Sequence, residues 1–251
     1  MRMLRPVIVL VGLCFLWQII VSVSGAPPYI LPGPLAVVLA WIKQPELFLS
    51  HGATTALEIL LGLFLGFVLG VASALCMAYF RPAQRWMLPV LVISQAVPVF
   101  ALAPVLVLWL GYGLASKVAM ATLIIFFPVT AAFYDGLRRT EPGWIDLATT
   151  MNASRWATLR HIRIPAALPA LGSGLRVATA VAPIGAIVGE WVGSSAGLGY
   201  LMLHANARVQ VDVMFAALLT LALMAVALYF AVDLALRRLV RWQPEDIHSF
   251  D

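Results

Sequence analysis

This sequence predicts an all-α polytopic membrane protein with six transmembrane helices and both termini in the cytoplasm. Three observations carry that reading. The 251 residues are 63% hydrophobic and only 11% charged, whereas a soluble domain carries about 25% charged residues. Mean hydropathy is +0.98, and the apolar residues come in long runs of the kind a bilayer-crossing helix needs, about 20 residues at 1.5 Å each. Lys and Arg fall mostly on alternate connections between the runs. A β-barrel would instead show strands of about ten alternating residues, and the sequence has none.

The runs lie at 7–23, 54–80, 88–110, 115–134, 167–192 and 213–236. The first follows Arg2 and Arg5, as in a secretory signal peptide. It is longer than the usual ~7–15 residues, lacks an A-x-A site, and Pro27 and Pro28 stand where cleavage would fall. It therefore reads as a retained anchor helix. The second carries Gly62, Gly66 and Gly70, and the fifth Gly185, Gly189 and Gly193, at the spacing that lets helices approach closely. Packing within the chain is the economical use of both ladders; a contact between copies stays open. Pro98, Pro104 and Pro183 kink or break their spans, which membrane helices tolerate where other groups take the freed carbonyls. Cys14 and Cys76 lie inside spans and read as small apolar fillers. His51, His161, His204 and His248 share no metal-ligand spacing, so no metal site is expected.

Charge sets the orientation. With the N-terminus inside, the cytoplasmic segments collect Arg2, Arg5, Arg81, Arg85, Arg138, Arg139, Arg155, Arg160, Arg163, Arg237, Arg238 and Arg241. The outer segments collect Lys43, Lys117 and Arg208, and Arg176 lies within the fifth run; together these are all 16 basic residues. The bias is strongly positive-inside. It accounts for the net charge of +5 without a nucleic-acid partner.

Charges within spans are costly and mark function. Asp135 and Asp233 sit near cytoplasmic ends, within a turn of Arg138, Arg139 and Arg237, and read as snorkelling ion pairs. Glu58 and Glu190 lie deeper, in the outer third, and Arg176 toward the cytoplasmic half. The glutamates either line a solute path or hydrogen-bond a kinked helix, and the residues leave both open.

The longest inner connection, 135–166, holds the stretch DLATTMNASRWATLRHIRIP at 146–165. Pro142 suits a first helical turn, and Asp146 lies early in that helix, where the dipole favours a carboxylate. Ile145, Ala148 and Met151 form an apolar face. Asn152 tolerates the left-handed conformation that ends a helix. Ser154 can cap a second helix with Trp156, Leu159 and Ile162 on one side and Arg155 and Arg160 elsewhere. Pro165 is expected to stop it. The result is two short helices joined at an elbow, a docking surface rather than a merely solvated loop.

Asp146-Leu147-Ala148, Asn152 and Ile162-Arg163-Ile164-Pro165 resemble the "EAA" loop of ABC-importer permeases, with Asp146, Leu147 and Asn152 departing from the usual Glu, Ala and Gly. ILPGPLAVV (30–38), VPVFALAPVLVLWLGYG (97–113), GLR (174–176) and SSAGLGYLM (194–202) are similar to the nitrate/taurine/sulfonate-type permeases. GEWVGSSAGLGYLM (189–202) resembles the branch associated with thiamine-pyrimidine precursors. The resemblance covers about 30–240. It implies a type I ABC importer permease fold, a single transmembrane permease domain over 1–251 with an anchor helix at 7–23, a core at 54–236 and a coupling loop at 135–166. Asp146, Ala148, Asn152, Ala153, Ser154, Arg155, Trp156, Arg160 and Pro165 would then grip the ATPase. Glu58, Gln95, Pro98, Phe100, Trp109, Arg176, Glu190 and Trp191 would line the translocation path.

The nearest approach to a P-loop, GYGLASKV (111–118), has Ser116 for the second Gly and Val118 after the Lys, so ATP and Mg are expected on separate ATPase chains. The resemblance implies two such ATPase subunits, a second permease copy in a homodimer, an extracytoplasmic solute-binding protein, and the bacterial cytoplasmic (inner) membrane. The family often has a basic residue where Glu58 stands. Two outer carboxylates would repel a sulfonate or nitrate, so the expected solute is a thiamine-pyrimidine precursor or similar nitrogen heterocycle, with Trp191, Trp109, Phe100 and Tyr112 as flat faces. A sulfonate, taurine or nitrate permease is the alternative. An ion-coupled secondary transporter, which would usually show an internal repeat, is a rival of another class, as are an intramembrane enzyme and a membrane scaffold.

Overall fold

The computed structural model describes residues 4–94 and 97–240; Arg2, Gln95, Arg241 and His248 lie outside the described residues. Among these residues the chain is all-helical. In order the helices are α1 (Leu4–Ser24), α2 (Pro34–Lys43), α3 (Pro45–Tyr79), α4 (Arg81–Ser94), α5 (Val99–Leu110), α6 (Leu114–Arg138), α7 (Pro142–Thr150), α8 (Arg155–Thr158), α9 (Ile164–Gly193), α10 (Leu198–Ala207) and α11 (Val211–Leu239). A π-helical turn, Leu159–Arg163, joins α8 to α9.

Among the described residues four helices are long and apolar enough to cross a membrane: α3, α6, the continuous α8–α9 helix and α11. α4 and α5, bent by 103°, add a fifth if the pair is taken as one span, against the six expected. The expected unbroken span at 88–110 is thus two helices, and the break has a cause in Pro98. It caps α5 with an extended backbone, and a proline biases the residue before it away from helix. The expected first span lies in α1, whose apolar stretch Val11–Ser24 is shorter than the others. Trp17 stacks on Phe215 of α11, ring centroids 5.9 Å apart, which ties α1 to the body. α3 begins nine residues before the expected run, because Pro45 opens the helix in its first turn.

α6 is the central helix, packed between α3 and α9, and small residues explain how. A Cβ on Gly66 would lie 2.6 Å from Ile125 Cγ2, and one on Gly70 would lie 2.8 Å from Val129 Cγ1. Gly62 stands equally close to Ala121. On the other side Gly185 faces the Ala121 backbone at 2.7 Å and Gly189 the Lys117 backbone at 3.1 Å. Both ladders therefore work inside the chain. Ile125, Val129, Phe133, Leu137, Ala178 and Ala182 fill the main core. Phe48, Leu198, Leu201, Ala216 and Ala217 fill a second one, around α10.

Candidate functional site

The elbow takes its shape from backbone bonds a few residues apart. α7 opens on Pro142 and ends where Asn152 adopts φ 57°. Ala153 N–H then donates to the Ala148 carbonyl and Asn152 N–H to the Thr149 carbonyl, each at 2.9 Å. These two bonds make a Schellman motif, which satisfies carbonyls the helix end would leave orphaned. Two residues on, Ser154 caps α8, its Oγ accepting from Ala157 N–H at 3.2 Å.

The second arm differs from expectation. Pro165 does not stop the helix, because the chain widens into the π turn just before it. Ile164 N–H reaches back to the Leu159 carbonyl, so the wider i→i+5 turn accommodates the proline that follows it inside the helix. The elbow therefore joins one short helix, α7, to one helix that runs 39 residues from Arg155 to Gly193.

Ala148 is 4% exposed, while Met151 is 74% exposed. Asp146, Ala153, Arg155 and Arg160 are exposed, as are Trp144, Leu147 and Trp156. The Trp156 ring meets Tyr79, at the end of α3, edge-on at 6.1 Å. Between the arms lies a cleft of about 560 Å³ lined by Trp144, Leu147, Ala148, Met151, His161, Ile162, Pro165 and Ala166. Such a surface is apolar, shaped and uncovered, which suits docking by a second protein.

At the other end of α9 lies a buried polar cluster. Glu58 is 0% and Glu190 1% exposed. Lys117 Nζ stands 3.4 Å from Glu58 Oε1. It belongs to the first turn of α6 and is buried, not in the outer connection where it was expected. Thr55 donates to Glu190 Oε1 at 2.6 Å and accepts from Leu198 N–H at 2.8 Å. Glu190 Oε2 accepts from Gly199 N–H at 2.5 Å, and His51 Nδ1 from Gly197 N–H at 2.9 Å. Within this chain no carboxylate of the cluster is open to solvent, so the electrostatic argument against an anionic solute loses its footing. His51, which looked incidental, and Thr55 are working members that the sequence did not single out.

Arg176 stands apart from that cluster, fourteen residues or about 20 Å along α9 from Glu190. Its Nε donates to Asp233 Oδ1 at 2.7 Å, while Arg237 Nε donates to Asp233 Oδ2 at 2.8 Å. The Asp233–Arg237 pair is thus the expected one, extended to a third member that ties α9 to α11. Arg138 lies over the Tyr134 ring at 5.6 Å. Phe100, Trp109, Tyr112 and Trp191 are exposed on the chain.

Comparison with known proteins adds a family. The one described as binding-protein-dependent transport system inner membrane component matches residues 62–243. A probable ABC transporter permease protein of Haemophilus influenzae is 55% identical over 239 residues, covering 95% of this chain and 98% of that one. The formylaminopyrimidine transport permease protein ThiX of Halalkalibacterium halodurans is 37% identical, covering 96% of each chain. The riboflavin transport system permease protein RibX of Chloroflexus aurantiacus is 38% identical, covering 95% of this chain and 89% of that one. In fold, the chain matches the inward-facing MetNI methionine ABC transporter with TM-score 0.67 at 20% identity, over 78% of this chain and 97% of that one.

Proposed function

The chain belongs to the binding-protein-dependent transport system inner membrane component family, a permease subunit of an ABC importer and not an enzyme, and we propose that the solute it passes is a nitrogen heterocycle of the thiamine-pyrimidine type. The observation that carries the substrate class is the likeness, at 37% and 38% identity, to permeases named for formylaminopyrimidine and for riboflavin. Both solutes are flat, nitrogen-rich rings. The exposed Phe100, Trp109 and Trp191 supply aromatic faces on which such a ring could stack.

The assembly follows from the same reading. Two such chains pair around one path in the bacterial inner membrane. Each elbow sits in a cleft of an ATPase subunit, which holds the ATP and Mg, and a solute-binding protein docks on the outer side near α2 and α10. Closure of the ATPases moves the elbows, and each elbow moves the helix it is continuous with. The ligands drive this only because they favour one state over the other.

The test is uptake by the assembled transporter in proteoliposomes with its binding protein. Labelled formylaminopyrimidine should enter only when ATP is inside with the ATPases, and excess taurine should not compete. Accumulation of taurine or nitrate instead would overturn the substrate class. Uptake driven by an ion gradient without ATP would overturn the assembly.

A further inference from the structure

The start of α10 poses a backbone problem. Its first N–H groups have no partner within the helix, and its cap, Gly197, has no side chain to offer. Side chains of two other helices take them instead. His51 and Thr55, one turn apart on α3, accept from Gly197 and Leu198 at 2.9 and 2.8 Å. Glu190 of α9 accepts from Gly199 at 2.5 Å, and Thr55 turns its own hydroxyl to Glu190 at 2.6 Å. The glycines follow from this. Gly197 sits at φ 110°, and a Cβ on Gly199 would lie 2.8 Å from Glu190 Oε2. The SAGLG stretch is the space a carboxylate needs to reach a helix end.

Glu190 also belongs to the continuous helix that starts at the elbow. From Arg155 to Glu190 that helix is about 50 Å long, enough to cross the membrane. We propose that Glu190 is a positioning residue that clamps α10 to this rod, with Thr55 and His51 bracing it from α3. Engagement of the binding protein on the outer face is thereby carried to the ATPases, and the elbow's motion is carried back to the docking segment. The inference rests on the importer reading above.

The experiment compares ATP hydrolysis by the full transporter in liposomes with and without the binding protein loaded with formylaminopyrimidine. Thr55→Val should leave unstimulated hydrolysis within about twofold of wild type and cut the stimulation about tenfold or more, because it removes the buried bond to the carboxylate and also leaves Leu198 N–H without its acceptor. Thr55→Ser restores the hydroxyl and should restore the stimulation. Glu190→Gln cannot accept both bonds, so it should lower stimulation likewise and speed amide exchange at 197–199. Full stimulation in both Thr55→Val and Glu190→Gln overturns the proposal, and so does equal loss in Thr55→Val and Thr55→Ser. If Glu190→Gln does not assemble, the Thr55 pair decides. If the wild-type transporter is not stimulated, the proposed solute class is what fails. Amide exchange then judges the clamp alone, and unchanged exchange in Glu190→Gln overturns it.

Discussion

The elbow and the clamp sit at opposite ends of one helix and are built by opposite means. The elbow is held by backbone bonds between residues at most five apart, with Asn152 in the left-handed conformation and Ser154 as cap. The clamp is held by side chains reaching across the fold, Thr55 to Glu190, Thr55 to Leu198 and His51 to Gly197, over separations of 135, 143 and 146 residues. The difference teaches what each end is for. A local motif keeps its shape without burying its outward face, so Leu147, Met151 and Trp156 remain free to meet another protein. A long-range cluster uses its polar groups inside the fold; it fixes one segment of the chain against two others.

The contrast is broken most severely from the clamp side. Gly199→Val puts a branched side chain where Glu190 Oε2 already stands. Overpacking together with stranded buried polar groups should destabilise the α10 segment by about 3 kcal/mol. In hydrogen exchange of the assembled transporter, amides 197–205 should open about 100-fold faster. Amides of the elbow, some 50 Å away along the helix, should not change. Faster exchange at both ends would mean that the two regions unfold as one unit.

The same contrast decides what could be read from the sequence. The long apolar helices and the elbow are written in local features: apolar runs, and an asparagine shortly before a serine. Asn152 and Ser154 could be assigned because each acts on its immediate neighbours. Thr55 and His51 carried no signal, since their partners in the clamp are at least 135 residues away and nothing in their own neighbourhood marks them. Glu58 and Glu190 were visible as charges in apolar runs, but their pairing was not; Lys117 and the α10 amides close around them only in the fold. Pro165 misled for a different reason. Its local meaning is a helix stop, and the π turn that lets the helix continue has no residue signature of its own. Pro98, by the same rule, marks the break between α4 and α5.

Smaller effects are expected at the elbow, and they should stay there. Asn152→Val places a β-branched residue at φ 57°, which costs about 1–2 kcal/mol. Ser154→Ala removes the α8 cap bond and costs about 1 kcal/mol. Each should lower the thermal midpoint of the purified transporter by a few degrees and speed exchange at 151–157, leaving 197–199 unchanged. Because Asn152 and Ser154 are neighbours in one motif, the double variant should fall short of the sum. A fully additive double variant would show that the Schellman bonds and the Ser154 cap hold independently.

The finest test is Asn152→Gly, which places at the elbow the residue best suited to a left-handed conformation. Glycine adopts φ 57° without steric cost, but it also frees the unfolded chain, so the two effects nearly cancel and stability should move by no more than about 0.5 kcal/mol. The Schellman bonds use backbone atoms only and survive the change. If Asn152 serves purely as a bend, ATP-driven uptake by the variant should stay within about twofold of wild type, since a few tenths of a kcal/mol is less than a factor of two. A loss well beyond that with an unchanged melting midpoint would place the Asn152 side chain, which is exposed at the tip of the elbow, in direct contact with the ATPase. The elbow would then be a recognition surface at its tip as well as on its apolar flank, and the division between a locally shaped handle and a globally held clamp would have to be redrawn at that one residue.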